Sequence, residues 1–183
     1  MRRAMWMVLA GTLAAPALVL AQDVSVDFDK DFNFSTIKTY SLKLATASGN
    51  PLSEKRAMAE IEGALTGKGW VKAEEGKADA AVMVHGASET RHRLESFYTG
   101  GGYGGYGWRG YGGMGMGGSG TTEQVDYRVG TMVVDIFDVK SKQLVFRGTA
   151  SDELSDKAEK NTKKIVKATE KMFKNFPPGS EKK

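Results

Sequence analysis

The chain contains no cysteine and only two histidines. It also lacks a G-x-S-x-G elbow and a G-x-x-x-x-G-K-[ST] phosphate loop. Each absence removes a class of chemistry. Without cysteine there are no disulfide staples, so the core has to be stable on packing alone. His85 and His92 are seven residues apart, which puts them on opposite faces of a continuous strand. No HExxH spacing joins them, so no zinc site is expected. The missing elbow and phosphate loop argue against those hydrolase and nucleotide sites. No catalytic, cofactor-binding or metal-ligating constellation is legible, which argues against an enzyme.

Excess charge is also scarce. Arg2 and Arg3 precede an apolar stretch, Met5–Leu20, which is shorter than the ~20 residues of a membrane-spanning helix. Val19 and Ala21 then stand at the small-residue positions of a cleavage site. Residues 1–21 therefore read as a secretory signal, with an uncleaved N-terminal anchor as the alternative. Cleavage leaves 162 residues from Gln22 and lowers the formal charge from +4 to +2. So small a charge does not support nucleic-acid binding. No cysteine at the junction can carry lipid. The expected product is periplasmic or secreted, with at most peripheral attachment to the envelope and no transmembrane span after cleavage.

What is present is patterned for strands and two helices. Asp23–Phe28 alternates polar and apolar residues, as a half-buried strand does. Ile37–Leu42 is rich in β-branched and aromatic residues, and Ala45–Asn50 reads as a polar loop. Asn50-Pro51 opens a helix through Lys68, with Ala57, Met58, Ile61, Ala64 and Leu65 on its apolar face. Gly63 costs such a helix about 1 kcal/mol against alanine, so a close neighbour is expected there. Gly67 or Gly69 ends it in the left-handed conformation. Trp70–Ala73 suggests a short strand. Ala80–His85 is apolar on both faces, as in a central strand, and continues into charged alternation up to Glu95.

Two further strands follow across a turn at Asp138–Lys142. Met132, Val134 and Ile136 share one face with Leu144, Phe146, Gly148 and Ala150. Pairing Asp138 with Lys142 would place Val134 opposite Phe146, with Asp135 diagonal to Arg147. A last helix is expected over Ser155–Asn175, capped by Ser155 or Asp156 and stopped by Pro177-Pro178-Gly179. Its stripe is Ile165, Ala168, Thr169, Met172, Phe173 and Phe176. Residues 180–183 form a mobile tail.

Thirteen of the twenty-one residues in Gly100–Gly120 are glycine. The run offers no periodic apolar face to offset its ordering entropy, so a disordered hairpin loop is expected. Tyr103, Tyr106, Trp108 and Tyr111 punctuate it and are the candidate partner contacts, to protein, glycan or lipid surface. A dinucleotide loop is discarded because strand residues, not a helix, follow it. Asp27, Asp29, Asp31 and Asn33 resemble the start of a calcium loop. The sixth and twelfth positions, however, are Phe32 and Lys38 instead of glycine and glutamate, so the cluster reads as a turn. The seven lysines between Lys157 and Lys174 give the last helix a basic face.

The segments DFDKDFNFSTIKTYSL, LTGKGW, KADAAVMV, GTMVVDIFDVKSKQLVFRGTASDEL and NFPPG follow one another over Val24–Gly179. In this order, with a glycine/tyrosine-rich stretch before the hairpin, they resemble the bacterial envelope family known as domain of unknown function 4136. Many members are lipoproteins; this chain lacks the cysteine. The resemblance implies export and an α+β fold, and supplies no catalytic residues.

The expectation is one α+β domain over 22–179, a mainly antiparallel sheet with two helices on one face. Its function is expected to be that of a non-enzymatic, envelope-associated structural or binding module. Two alternatives remain open. One is an envelope hydrolase using carboxylates such as Asp135 and Asp138. The other is a membrane-surface binder working through the lysine helix.

Overall fold

Strand pairing organises the protein, and one hairpin dominates it. The computed structural model describes residues 22–98 and 120–178. Strands β1 (Asp23–Phe28), β2 (Thr39–Thr46), β3 (Val71–Lys72), β4 (Ala80–Tyr98), β5 (Gly120–Asp138) and β6 (Leu144–Glu153) form one sheet in the order β1-β6-β5-β4-β2-β3. Helices α1 (Pro51–Gly67) and α2 (Ala158–Phe173) pack against it, and a 3-10 turn spans Phe34–Thr36. The fold is α+β as expected. The sheet is mixed, because β2 runs parallel to both β3 and β4. Parallel neighbours need a crossover, and α1 provides it.

One face of the sheet is covered. Tyr40, Val82, Val134, Ile136 and Phe146 are buried there against Ile61, Leu65, Ala168, Met172 and Phe173 of the helices. The two helices lie side by side and run in the same direction. Their C-terminal ends meet where Lys68 Nζ donates to the Lys174 carbonyl at 3.2 Å. Phe176 fills the space below that end. Its ring lies 5.0–5.9 Å from those of Phe34, Trp70, Phe146 and Phe173. Edge-to-face contacts of this kind add to the burial energy of each ring.

The caps follow the sequence in part. Asn50 caps α1 by accepting from the Ser53 N–H, Pro51 occupies its first turn, and Gly69 turns the chain with φ +86°. For α2 the expectation fails: the cap is Lys157, with no side-chain bond. Ser155 pairs instead with Asn161, backbone to side chain in both directions, and this ties the β6–α2 link to the helix. Helix α2 also ends at Phe173, so Phe176 packs from beyond it. Gly63 has open space where a Cβ would stand, contrary to the close neighbour expected. Ala45 and Thr46 belong to β2 and not to the following loop.

The hairpin register differs from the expectation by two residues. Asp135 pairs directly with Arg147, Val134 with Gly148 and Ile136 with Phe146. The register shifts between Ile136 and Phe137. The bulged β6 residue, Val145, is buried, and its carbonyl accepts from Asp29 N–H. From Phe146 onward the faces are as expected, because a two-residue slip preserves side-chain parity, but the bulge reverses the first two residues of β6: Val145 is buried and Leu144, expected in the core, is exposed.

Strands β4 and β5 outrun their neighbours. β2 follows β4 only to His85, and β6 follows β5 only from Val129. Beyond these points Thr90–Tyr98 and Gly120–Arg128 pair with each other alone. At ~3.4 Å per residue this ribbon extends about 30 Å. The sequence joining its two strands, 99–119, lies outside the described residues. So do residues 1–21 and 179–183, and with them the expected signal peptide, the expected mobile tail and the bulk of the glycine run.

Candidate functional site

Side-chain size grades along the interface between helices and sheet. Along α1 the inward residues run Ala57, Ile61, Leu65, and Trp70 follows. Along α2 they run Ala168, Met172, Phe173, and then Phe176. On β6 the order from the other direction is Phe146, Gly148, Ala150. The aromatic side chains gather at the C-terminal ends of the helices. The N-terminal ends face glycine and alanine, and there the packing leaves a cleft of about 420 Å³. Its floor includes Val84, Gly86, Gly130, Met132, Ala150 and Ala168. That volume lies within the range of small-molecule sites.

Two glycines shape the floor. A Cβ on Gly86 would lie 2.7 Å from Ser48 Cβ, with the Ser48 backbone close behind. A Cβ on Gly130 would lie 2.7 Å from a Leu154 methyl. Ser48 and Leu154 thus rest directly on the sheet and form opposite parts of the wall. Met172 lies over Gly148 in the same way and separates the cleft from the aromatic cluster.

The rim is polar and mostly self-satisfied. The Glu54 carboxylate accepts from Ser48 Oγ and from the Ser48 and Gly49 N–H groups. The Ser48 hydroxyl is the largest of the influences that hold its pKa below the usual value. Lys164 Nζ donates to Asp152 at 2.8 Å and to the Glu153 carbonyl at 2.6 Å. Gln22 Nε2 donates to the Lys164 carbonyl, while the buried Gln22 Oε1 has no partner among the described residues. Arg128 reaches Ser88 Oγ at 3.3 Å. Arg56 is half-buried on the cleft wall. Unlike Glu54 and Lys164, it makes no hydrogen bond or ion pair with any described residue. Sequence reasoning missed this cleft. The signal lay in the small ends of the core stripes, Ala57, Gly86, Gly130 and Ala168, which periodicity counts only as apolar.

A second polar cluster lies on the uncovered face of the sheet. Arg147 donates to both Asp135 oxygens, at 2.6 and 2.7 Å. His85 Nε2 stands 3.6 Å from the same carboxylate, and its Nδ1 is 2.9 Å from Thr46 Oγ1. Asp135 in turn raises the Arg147 pKa, chiefly through these hydrogen bonds. Asp138 serves the turn instead, accepting from Ser141 N–H at 2.7 Å. Burial pushes its pKa up, but the Ser141 bonds and Lys140 outweigh that and the net direction is down. Asp135 and Asp138 do not converge, and neither lines the cleft described above.

The remaining sequence candidates separate cleanly. His92 pairs with Asp126 at 2.6 Å on the ribbon, away from His85. Asp27, Asp29 and Asn33 each accept from a nearby backbone N–H, as turn residues do. Four lysines of α2 and the two that flank it, Lys157 and Lys174, are exposed, and Lys164 is turned into its ion pair. Tyr103, Tyr106, Trp108 and Tyr111 lie outside the described residues. Among the described residues no group of three His, Asp or Glu side chains is placed to hold a metal, and no helix is long and apolar enough to cross a membrane.

The family model for DUF4136, a domain of unknown function, matches residues 24–178. This chain belongs to the DUF4136 family. The match covers the whole described sheet and both helices. The domain is similar in fold to a solved DUF4136 protein from Bacteroides thetaiotaomicron, at 15% identity and TM-score 0.53, over 85% of this chain and 96% of that one. It is similar to the same degree, 14% identity and TM-score 0.53, to a PDZ domain protein from Parabacteroides distasonis. There 85% of this chain is covered but only 35% of the other, so this chain spans about a third of that protein's length. The PelC dodecamer protein from Paraburkholderia phytofirmans aligns at 16% identity over 81% of this chain and 94% of that one, with a TM-score of 0.44. No curated protein matches the chain in sequence.

Proposed function

We propose that this DUF4136 protein is an exported, periplasmic or envelope-associated binding module without catalytic activity, and that the cleft between the helix N-terminal ends and the sheet is its ligand site. The cleft carries the reading. It combines an apolar floor with a polar rim, while the carboxylates of the hydrolase alternative are held in an ion pair and a turn. The N-terminal sequence supports export. N-terminal sequencing and cell fractionation test it: a chain starting at Gln22 outside the cytoplasm is expected, and a cytoplasmic chain starting at Met1 would refute export. For the cleft, amide and methyl NMR spectra recorded with an envelope lipid extract should shift at Val84, Met132 and Ala150. Shifts confined to other surfaces would remove the cleft from the proposal.

The aromatic residues Tyr103, Tyr106, Trp108 and Tyr111 are proposed as a separate partner contact. Deleting Gly100–Gly120 and finding partner recovery from envelope extract unchanged would end that part. The exposed lysine row of α2 favours a second reading, attachment to an anionic membrane surface. Flotation with anionic vesicles at low salt tests it, since exposed charges act most strongly there.

A further inference from the structure

Arg56 is the cation of the cleft that no described residue pairs. The other two charged groups that α1 and α2 place on the rim are accounted for. Glu54 is bound to the Ser48–Gly49 segment, and Lys164 to Asp152 and a carbonyl. The α1 terminus is also satisfied, because Asn50 accepts from the Ser53 and Glu54 N–H groups through its side chain and carbonyl. The helix end is therefore not the anion acceptor. The Arg56 side chain is half-buried beside the apolar floor, and its guanidinium has no partner among the described residues. Its planar fork matches a carboxylate with two parallel hydrogen bonds. Arg128, across on β5, holds only one long bond to Ser88 and adds positive charge to the same rim.

We infer that the cleft binds an amphiphile with a single carboxylate head, placed on Arg56 with support from Arg128, and an aliphatic chain laid over Gly86, Gly130, Met132 and Ala150. This rests on the cleft reading above and gives it a ligand class. The floor is apolar and lined by small side chains, so it offers a surface on which an aliphatic chain can lie. Asp156 stands exposed on the same rim with no partner among the described residues, and Glu54 and Asp152 are close by. The field therefore suits one negative charge and disfavours a polyanion.

The test compares decanoate with decan-1-ol, both below their aggregation limits, by NMR titration of the purified protein. Decanoate is expected to shift Met132, Ala150 and the Arg56 guanidinium. Decanol should bind at least tenfold more weakly, since it lacks the charge-assisted pair. Arg56→Gln should lose about tenfold or more for decanoate and little for decanol, and Arg56→Lys should recover part of it. Arg56 has no partner to lose, so these variants are expected to keep their thermal unfolding temperature. Ser53→Trp, which fills the mouth, should abolish both ligands. Equal binding of acid and alcohol, indifferent to Arg56→Gln, would overturn the carboxylate assignment and leave the cleft reading standing. Binding of neither ligand in the cleft would remove both.

Discussion

Arg147 clamps Asp135 from the neighbouring strand with two bonds of 2.6 and 2.7 Å, and the carboxylate it clamps is 4% exposed on a face of the sheet that no helix covers. A buried charge left without its partner is costly to the folded state. Arg147→Ala should therefore destabilise by about 1–3 kcal/mol, below the full value for a buried pair because the arginine is half-exposed. Replacing both residues by valine should restore most of the loss, since no orphaned charge remains. Urea unfolding at unchanged m-value measures both. An additive loss in the double variant would contradict the pairing.

The two floor glycines should respond differently to alanine. At Gly86 the new methyl meets Ser48 Cβ and, within 3.1–3.3 Å, its backbone. At Gly130 it meets the end of a flexible leucine. Gly86→Ala should cost about 1–3 kcal/mol by overpacking. Gly130→Ala should cost clearly less, because Leu154 can change rotamer. Their melting temperatures rank them, and the reverse order would refute this account of the wall.

Phe176 is the hub of the aromatic cluster although it lies outside α2. Phe176→Ala should lose about 3–5 kcal/mol, the range for a buried aromatic. Phe28→Ala, at a half-exposed edge position, should lose under about 1.5 kcal/mol. Equal losses in denaturant titrations would show that the cluster is not cooperative.

Thr169 is buried on α2, and its hydroxyl has no partner among the described residues. Valine keeps the branched shape and removes the unpaired oxygen. Thr169→Val should raise stability by about 1 kcal/mol. A loss of similar size would reveal a hydrogen bond made by the hydroxyl in solution.

Asp79 ties the start of β2 to that of β4. One of its oxygens accepts from the Lys38 and Thr39 N–H groups and from Thr39 Oγ1. These bonds, the Lys38 amide foremost, lower its pKa below the usual 3.8. Between the lowered and the usual value the unfolded chain binds more protons than the folded one, so stability rises with pH there. The contribution is complete above about pH 4 and disappears as pH drops through the folded value. Asp79→Asn should be less stable than the native protein at pH 7, with the gap closing in acid. A gap independent of pH down to 3 would mean that ionisation at Asp79 contributes nothing.

Much of this architecture was legible from residue order. Period-two alternation located β1 and β4, and the Asn50-Pro51 pair located the start of α1. The hairpin faces away from the turn were legible for the same reason, since strand parity is a local property, while Leu144 and Val145 exchanged faces at the bulge. The hairpin register was not, because the Val145 bulge depends on the Asp29 contact from another strand. The α2 cap was missed because Asn161 reaches back to Ser155 in place of a local cap.

By itself, then, the sequence determined the α+β class, the family signature and the two amphipathic helix stripes, because periodicity and turn chemistry are carried by neighbouring residues. Only the tertiary structure decided where the small ends of those stripes meet. Gly86, Gly130, Ala150 and Ala168 are far apart along the chain. They form one floor because two parallel helices begin at the same end of the sheet. The same arrangement leaves Arg56 beside that floor without a partner among the described residues, a relation between distant residues that no local pattern encodes.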